Sequence, residues 1–148
     1  MSNLFIHEFG TLKLDKEGIL YHDDVAFVHE GTTKLFKKNI VCENGEYFIK
    51  IGDNKAKVVV EDVYLWIENI DILADKSEIS MYLTNDQIIK IDKNTEIYLE
   101  NDNLYYIADN LKAKFNRKTY NELMNYLSQP YENYLLKIGS LEIKIIQK

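Results

Sequence analysis

Several residue types are scarce in this sequence, and each scarcity excludes a class of protein. The 148 residues include a single cysteine, Cys42, which excludes an intramolecular disulfide framework and a cysteine-rich metal site. One proline and six glycines are too few for a low-complexity linker. No apolar run approaches the roughly 18 residues that a membrane-spanning helix needs. We therefore expect no membrane span and a reducing compartment.

Arginine is nearly absent as well, since Arg117 is the only one beside 17 lysines. The net charge is −6 and the lysines are interleaved with acids, whereas nucleic-acid binding needs a basic face. We expect neither a nucleic-acid partner nor an anionic membrane surface. Met1 to Glu8 lack a basic segment followed by an apolar run, so they do not resemble a secretory signal. These features predict a cytoplasmic protein.

The apolar content of 46% is typical of a folded protein rather than a disordered one. The chain is also long enough to bury a core without a metal or a disulfide. We therefore expect either one domain or two small halves that pack together.

The sequence contains an internal similarity at an offset of 87 residues. When residues 11–61 are laid over residues 98–148, 9 of the 51 pairs are identical, and the apolar and turn positions also coincide. The best block places Tyr47–Gly52 over Tyr134–Gly139. A similarity of this kind predicts that one structural unit occurs twice.

Each copy has the pattern of a hairpin, a helix and a second hairpin. Apolar spacing predicts helices over about 30–38 and from Arg117 to about Leu127, the second with Asn116 as its N-cap. Residues 59–72 read as one long strand that bends near Glu61, and residues 79–91 as a hairpin. The expected fold is α+β with mostly antiparallel strands, built from two tandem β-hairpin–helix–β-hairpin repeats with long connecting strands. The two halves are expected at 1–74 and 75–148.

A series of short motifs extends over most of the chain: Gly18-Ile19-Leu20-Tyr21, Leu35-Phe36, Val60-Glu61-Asp62, Thr84-Asn85, and Ala113-Lys114-Phe115-Asn116-Arg117 with Tyr120 and Leu123. In their order these motifs resemble a bacterial family known only as domain-of-unknown-function family 1285. The chain departs from the family at Tyr64 and at Phe27-Val28, where members usually have a proline.

This resemblance implies a fold with repeated structural motifs. It also implies a role in signalling or regulation, and it supplies no substrate, cofactor or catalytic residue.

Arg117 is the first candidate site residue. Where lysine serves most positions that need a positive charge, a retained arginine indicates a need for the planar, multi-donor guanidinium. One interpretation is a clamp for a ligand carboxylate or phosphate. The other is a structural ion pair with Glu61, Asp62 or Asp86, or with Glu30, its counterpart in the first copy.

Glu61, Asp62, Thr84 and Asn85 complete the predicted ligand site. With Asp86, the carboxylates at the predicted bend and hairpin tip suit acid–base chemistry or a hard cation. The same residues also terminate strands and form turns. Both interpretations stay open.

Two further groups have some features of a site. His22-Asp23-Asp24, with His7 or His29, resembles part of a metal or general-base site but lacks a metal-ligand spacing. Cys42 lies beside Glu43, which disfavours the thiolate that a nucleophile needs. We predict no metal and no cofactor.

From the sequence we predict a non-enzymatic binding module in regulation or signalling, with a small-ligand site between the two repeats. Two alternatives stay open. One is a metal- or carboxylate-dependent hydrolase, and the other is a structural homodimer that presents strand edges to a protein partner.

Overall fold

The described residues of the computed structural model are 10–128 and 134–148, and they form two α-helices and fifteen strands. Helix α1 is Glu30–Lys38 and helix α2 is Arg117–Met124. The strands are β1 Leu12–Leu14, β2 Leu20–His22, β3 Val25–Ala26, β4 Ile40–Glu43, β5 Glu46–Ile51, β6 Asn54–Val60, β7 Leu65–Leu73, β8 Glu78–Leu83, β9 Ile88–Ile91, β10 Glu96–Glu100, β11 Asn103–Ala108, β12 Leu111–Phe115, β13 Leu127–Ser128, β14 Tyr134–Ile138 and β15 Leu141–Gln147. The expected α+β class with a majority of strands is confirmed.

The chain divides into two units, the first ending at Tyr64 and the second beginning at Leu65. The sequence prediction placed the division between residues 74 and 75. In the structure a 3₁₀ turn at Ala74–Lys76 joins β7 to β8, and these two strands pair with each other inside the second unit. This pairing keeps both sides of the predicted boundary in one sheet.

The first unit contains a six-stranded sheet in the order β3-β2-β1-β6-β5-β4. Its neighbouring strands are antiparallel except at the centre, where β1 and β6 run parallel with Leu12 opposite Val58. The alternation of each strand turns one set of side chains inward. The buried set consists mainly of Leu12, Leu14, Leu20, Phe36, Ile40, Ile49 and Val58.

The second unit contains a nine-stranded sheet in the order β13-β14-β15-β10-β11-β12-β7-β8-β9. Two neighbouring pairs are parallel, namely β10 with β15 and β12 with β7. Its fully buried side chains include Ile67, Ile79, Met81, Ile97, Leu104, Leu123, Leu136 and Ile138.

Both helices begin at a side-chain cap. The His29 imidazole Nδ1 accepts a hydrogen bond of 3.0 Å from the Thr32 amide at the start of α1. The Asn116 side chain accepts one of 2.9 Å from the Thr119 amide at the start of α2, as predicted. Each cap satisfies one of the amides that an α-helix leaves without an internal partner.

The tandem hairpin–helix–hairpin pattern is not confirmed. Three strands, rather than a two-stranded hairpin, precede and follow each helix, because β3, β4, β12 and β13 extend the predicted hairpins. The predicted long strand is also interrupted, since β6 ends at Val60 and β7 begins at Leu65. Helix α2 ends at Met124, so Leu127 belongs to β13 instead of the helix.

Neither described helix is long and apolar enough to cross a membrane.

Candidate functional site

A cleft of about 490 Å³ lies in the second unit, where the turn between β9 and β10 meets the turn between β11 and β12. Strands β10 and β11 form an antiparallel pair in which Glu96 faces Ile107. The turn that precedes β10 therefore lies beside the turn that follows β11. The residues that line the cleft are Lys90, Asp92, Asn94, Thr95, Glu96, Tyr106, Ile107, Ala108 and Asp109.

Asp92 organises the first wall of the cleft. Its Oδ1 accepts a 2.8 Å hydrogen bond from the Asn94 amide, and its own amide donates to Thr95 Oγ1 at 2.9 Å. An aspartate that binds the amide two residues on forms a turn through its side chain. This bonding fixes the Asp92 carboxylate on the rim.

Asp109 forms the opposite wall. Its backbone is left-handed, with a φ of 51°, and aspartate and asparagine tolerate this conformation better than most residues do. Ala108 pairs with Leu111 across the turn, so the tight turn leaves the Asp109 side chain exposed at the cleft.

Tyr106 lines the same cleft as these two carboxylates. Only 9% of its surface is exposed, and its hydroxyl makes no hydrogen bond to any residue that the structure describes. Burial raises the pKa of the Tyr106 phenol, and the negative charges of Asp92 and Asp109 raise it further. The phenol therefore stays neutral, and its hydroxyl makes no hydrogen bond to the described residues.

The other charged residues of the cleft are already engaged. The Glu96 Oε2 atom accepts a 2.6 Å hydrogen bond from the Tyr98 hydroxyl. The Lys90 ammonium lies 3.8 Å from the Glu78 carboxylate. Acceptor capacity is thus left in the cleft lining on Asp92, on Asp109 and on Glu96 Oε1, and the Tyr106 hydroxyl makes no described hydrogen bond.

Arg117 binds the turn between β10 and β11. Its guanidinium donates to the Asp102 carbonyl at 3.1 Å and to Asn103 Oδ1 at 3.2 Å, and it lies 3.7 Å from the Asp102 carboxylate. It also stacks on the Tyr120 ring at 4.4 Å. The prediction of a structural ion pair for Arg117 therefore named the wrong partners. The carboxylate comes from Asp102 in the β10–β11 turn.

Glu30 does not pair with Arg117 either. Its carboxylate lies 3.8 Å from Lys34, one helical turn along α1. An i, i+4 pair forms along a helix without any contribution from the rest of the fold.

Glu61 and Asp62 lie just after β6 in the first unit. Glu61 Oε1 accepts a 3.1 Å hydrogen bond from the Lys16 amide, and its Oε2 lies 4.0 Å from Lys13. Asp62 is half-buried. Glu61 thus ties the β1–β2 turn to the end of β6.

Thr84 and Asn85 form the turn between β8 and β9 in the second unit. Thr84 is buried, and its hydroxyl accepts a 3.2 Å hydrogen bond from the Trp66 amide. Asn85 binds both the amide and the side chain of Gln87. Neither of them is a hydrogen-bond partner of Arg117, whose bonds go to Asp102 and Asn103. A ligand role for the five predicted residues stays a prediction.

The histidine and cysteine candidates have structural contacts. The His22 ring packs against Phe27 at 4.6 Å, and Asp23 Oδ1 accepts from the Thr11 amide at 2.8 Å. His29 is the helix cap described above, Cys42 is an exposed free thiol, and His7 lies outside the described residues. Within residues 10–128 and 134–148, no three metal-ligating side chains are grouped so as to hold an ion.

Sequence reasoning missed Asp92, Tyr106 and Asp109, although a signal for them existed. The predicted hairpin of residues 97–99 and 104–108 already implies that the residue before its first strand lies beside the residue after its second. What the sequence did not indicate was the burial of Tyr106.

Two solved crystal structures share this fold. A DUF1285 family protein from Silicibacter pomeroyi DSS-3 has a TM-score of 0.65 at 11% identity, over 99% of this chain and 90% of that one. A DUF1285 family protein from Shewanella baltica OS155 has a TM-score of 0.53 at 21% identity, over 77% of this chain and 90% of that one. No protein-family model and no curated protein matches the chain. The resemblance inferred from the sequence is thus confirmed in the fold.

Proposed function

We propose that this protein is a non-enzymatic binding module in regulation or signalling, and that the cleft beside Tyr106 holds its small-molecule ligand. The observation that carries the proposal is a hydroxyl on a nine-tenths buried side chain that lines a cleft of about 490 Å³ and lacks a partner among the described residues. Small-molecule sites in proteins are concave and place a few polar groups for recognition. None of the five residues predicted from the sequence lines this cleft.

A thermal-shift screen tests the proposal. We expect a compound from a panel of nucleotides, amino acids, amines, organic acids and divalent metals to raise the melting temperature, because a ligand that binds only the folded state stabilises it. The same compound should lose its effect in Ala108→Phe, which fills the cleft. It should keep its effect in Val28→Phe, since Val28 is 96% exposed and belongs to the first unit. A shift that survives in Ala108→Phe would contradict the assignment of the site.

We also propose that the two units are versions of one motif of three strands, a helix and three strands. The order β3-β2-β1-β6-β5-β4 in the first unit corresponds to β12-β11-β10-β15-β14-β13 in the second. The helix caps His29 and Asn116 are 87 residues apart, and so are the pairs Ile40–Ile49 and Leu127–Leu136. An experimental structure in which residues 87 apart fail to superpose would contradict this.

We propose a cytoplasmic location in addition. The support is the free, exposed thiol of Cys42, because exposed thiols persist in reducing compartments. Cell fractionation tests this, and recovery outside the cytoplasm would contradict it.

A further inference from the structure

The oxygens of the cleft lining that can still accept a hydrogen bond favour a positively charged ligand. Asp92 and Asp109 line the cleft from two turns, and Tyr106 lines it as well. Asp92 uses Oδ1 inside its own turn, which leaves Oδ2 for a ligand. Carboxylates accept hydrogen bonds and do not donate them, so they match a donor-rich cation.

The positively charged residue of the cleft, Lys90, forms its ion pair with a residue outside the cleft lining. Among the described residues that line the cleft, only Lys90 carries an ammonium, and its partner is Glu78, which is not part of the lining. An anionic ligand would have to compete with Glu78 for Lys90 and lie against Asp92 and Asp109. A bare metal ion is disfavoured by geometry, since hard cations need several converging oxygens and no three ligating side chains converge among the described residues.

We propose that the cleft binds a small organic cation, a molecule that carries an ammonium or guanidinium group, with Asp92 and Asp109 as charge partners and the Tyr106 hydroxyl as a hydrogen-bond partner. This inference rests on the proposed function and adds the chemical class of the ligand. Tyr106 supplies the observation that is independent of the carboxylates, since it is a nine-tenths buried side chain whose hydroxyl has no described partner.

Three probes of equal length and different charge test the ligand class. These are 1,4-diaminobutane, 1,4-butanediol and succinate, each titrated into the full chain while NMR spectra report the backbone amides around the cleft. We expect the diamine to shift the amides of residues 92–96 and 106–109 and the other two compounds to leave them unchanged. Charge-assisted hydrogen bonds differ from neutral ones enough to change affinity by about tenfold.

Conservative variants then locate the binding. Asp92→Asn keeps the Oδ1 acceptor of its turn, and Asp109→Asn keeps a residue that tolerates a positive φ, so both should fold. We expect each to weaken diamine binding by about tenfold, and Tyr106→Phe to weaken it less. Asp53→Asn in the β5–β6 turn of the first unit makes the same change in net charge outside the cleft and should bind normally.

The outcomes separate the two proposals. If butanediol or succinate shifts the cleft residues and the diamine does not, the ligand class is wrong while the binding cleft stands. If none of the three shifts these residues and no compound of the thermal-shift panel depends on the cleft, both proposals are wrong. If Asp53→Asn weakens diamine binding as much as Asp109→Asn does, the diamine responds to net charge and the class is again wrong.

Discussion

The two units order six strands in the same way, yet corresponding residues differ greatly in burial. In the first unit β3 is an edge strand, Ala26 is half-buried and Val28 is 96% exposed. In the second unit β12 has β7 on its other side, and Ala113 and Phe115 are buried. Phe115 stands where Val28 stands, 87 residues on. Strand β12 thus extends to Phe115, which pairs with Ile67 of β7, whereas β3 ends at Ala26, two residues before Val28.

A similar contrast appears between the β5–β6 turn and the β14–β15 turn. Gly52 and Gly139 occupy corresponding turns and have similar backbones, with φ of 57° and 58°. A Cβ on Gly52 would meet no atom within 4 Å. A Cβ on Gly139 would lie 2.3 Å from the Ala74 carbonyl oxygen and 2.4 Å from Ser77 Oγ. Gly52 is needed only for the backbone conformation of its turn. Gly139 also leaves room for the β7–β8 connection to pack against it.

The largest effect is expected from alanine at these two glycines. Gly139→Ala combines left-handed strain with a steric clash and should cost about 3 kcal/mol in the free energy of unfolding. Gly52→Ala carries the strain alone and should cost about 1 kcal/mol. Urea unfolding of both variants checks this. Equal losses would mean that the β7–β8 connection does not constrain the second unit.

Corresponding threonines should differ less. Thr119 is fully buried and its hydroxyl donates to the Ile67 carbonyl at 3.1 Å, whereas Thr32 is half-buried and its hydroxyl lies 2.8 Å from His29 Nδ1. Valine has nearly the same shape and removes only the hydroxyl. We expect Thr119→Val to cost about 1.5 kcal/mol and Thr32→Val about 0.5 kcal/mol. If urea unfolding gives the larger loss for Thr32→Val, burial is not the cause of the difference.

The two helix caps give a smaller contrast. The Asn116 cap is half-buried, and its side chain also accepts from the Thr119 hydroxyl at 2.9 Å. The His29 cap is exposed. Alanine at Asn116 should cost about 1 kcal/mol and alanine at His29 about half of that. Hydrogen exchange of the Thr119 and Thr32 amides measures each loss separately, and unchanged protection in both would show that these caps do not hold the helices.

The smallest effect concerns two tyrosines and is measured as a change in pKa. The Tyr120 hydroxyl donates to Asp102 at 2.6 Å, and this bond is the main cause of its raised pKa. Burial is the main cause of the raised pKa of Tyr21, and Asp15, which corresponds to Asp102, adds to it. A phenol whose pKa is higher in the folded state holds its proton more tightly there. Its contribution to stability is therefore present below pH 10 and lost above it.

Asp102→Asn should lower the pKa of Tyr120 clearly, because it removes the charge that stabilises the neutral phenol. Asp15→Asn should lower the pKa of Tyr21 less, since burial remains. Titration of the tyrosine Cζ carbons by NMR follows each residue separately. An unchanged Tyr120 pKa in Asp102→Asn would contradict the hydrogen bond.

The local elements could be predicted because their signals lie within a few residues. The start of α1 at Glu30, the Asn116 cap and the β8–β9 turn at Thr84-Asn85 follow from spacing, capping and turn chemistry. Helix α2 is shorter than predicted because Leu127 has a strand partner, Leu136, which periodicity in one segment does not reveal.

The candidate site was less predictable, and the reason is physical. A carboxylate in a turn looks the same in sequence whether it faces solvent or a cleft, so Asp92 and Asp109 resembled ordinary turn residues. Arg117 was recognised as a special residue, but its partner Asp102 comes from a turn fifteen residues away that the helix position brings close.

The sequence by itself determined the class of fold, the two helices and most turns, because backbone propensity and side-chain capping act over a few residues. Only the tertiary structure decided the parallel pairs β1–β6, β10–β15 and β12–β7, since such pairs join segments that are distant in the chain. The tertiary structure also decided that Phe115 is buried while Val28 is exposed, and that Asp92, Tyr106 and Asp109 line one cleft. Burial depends on which strand occupies the neighbouring edge, and no local pattern in the sequence contains that information.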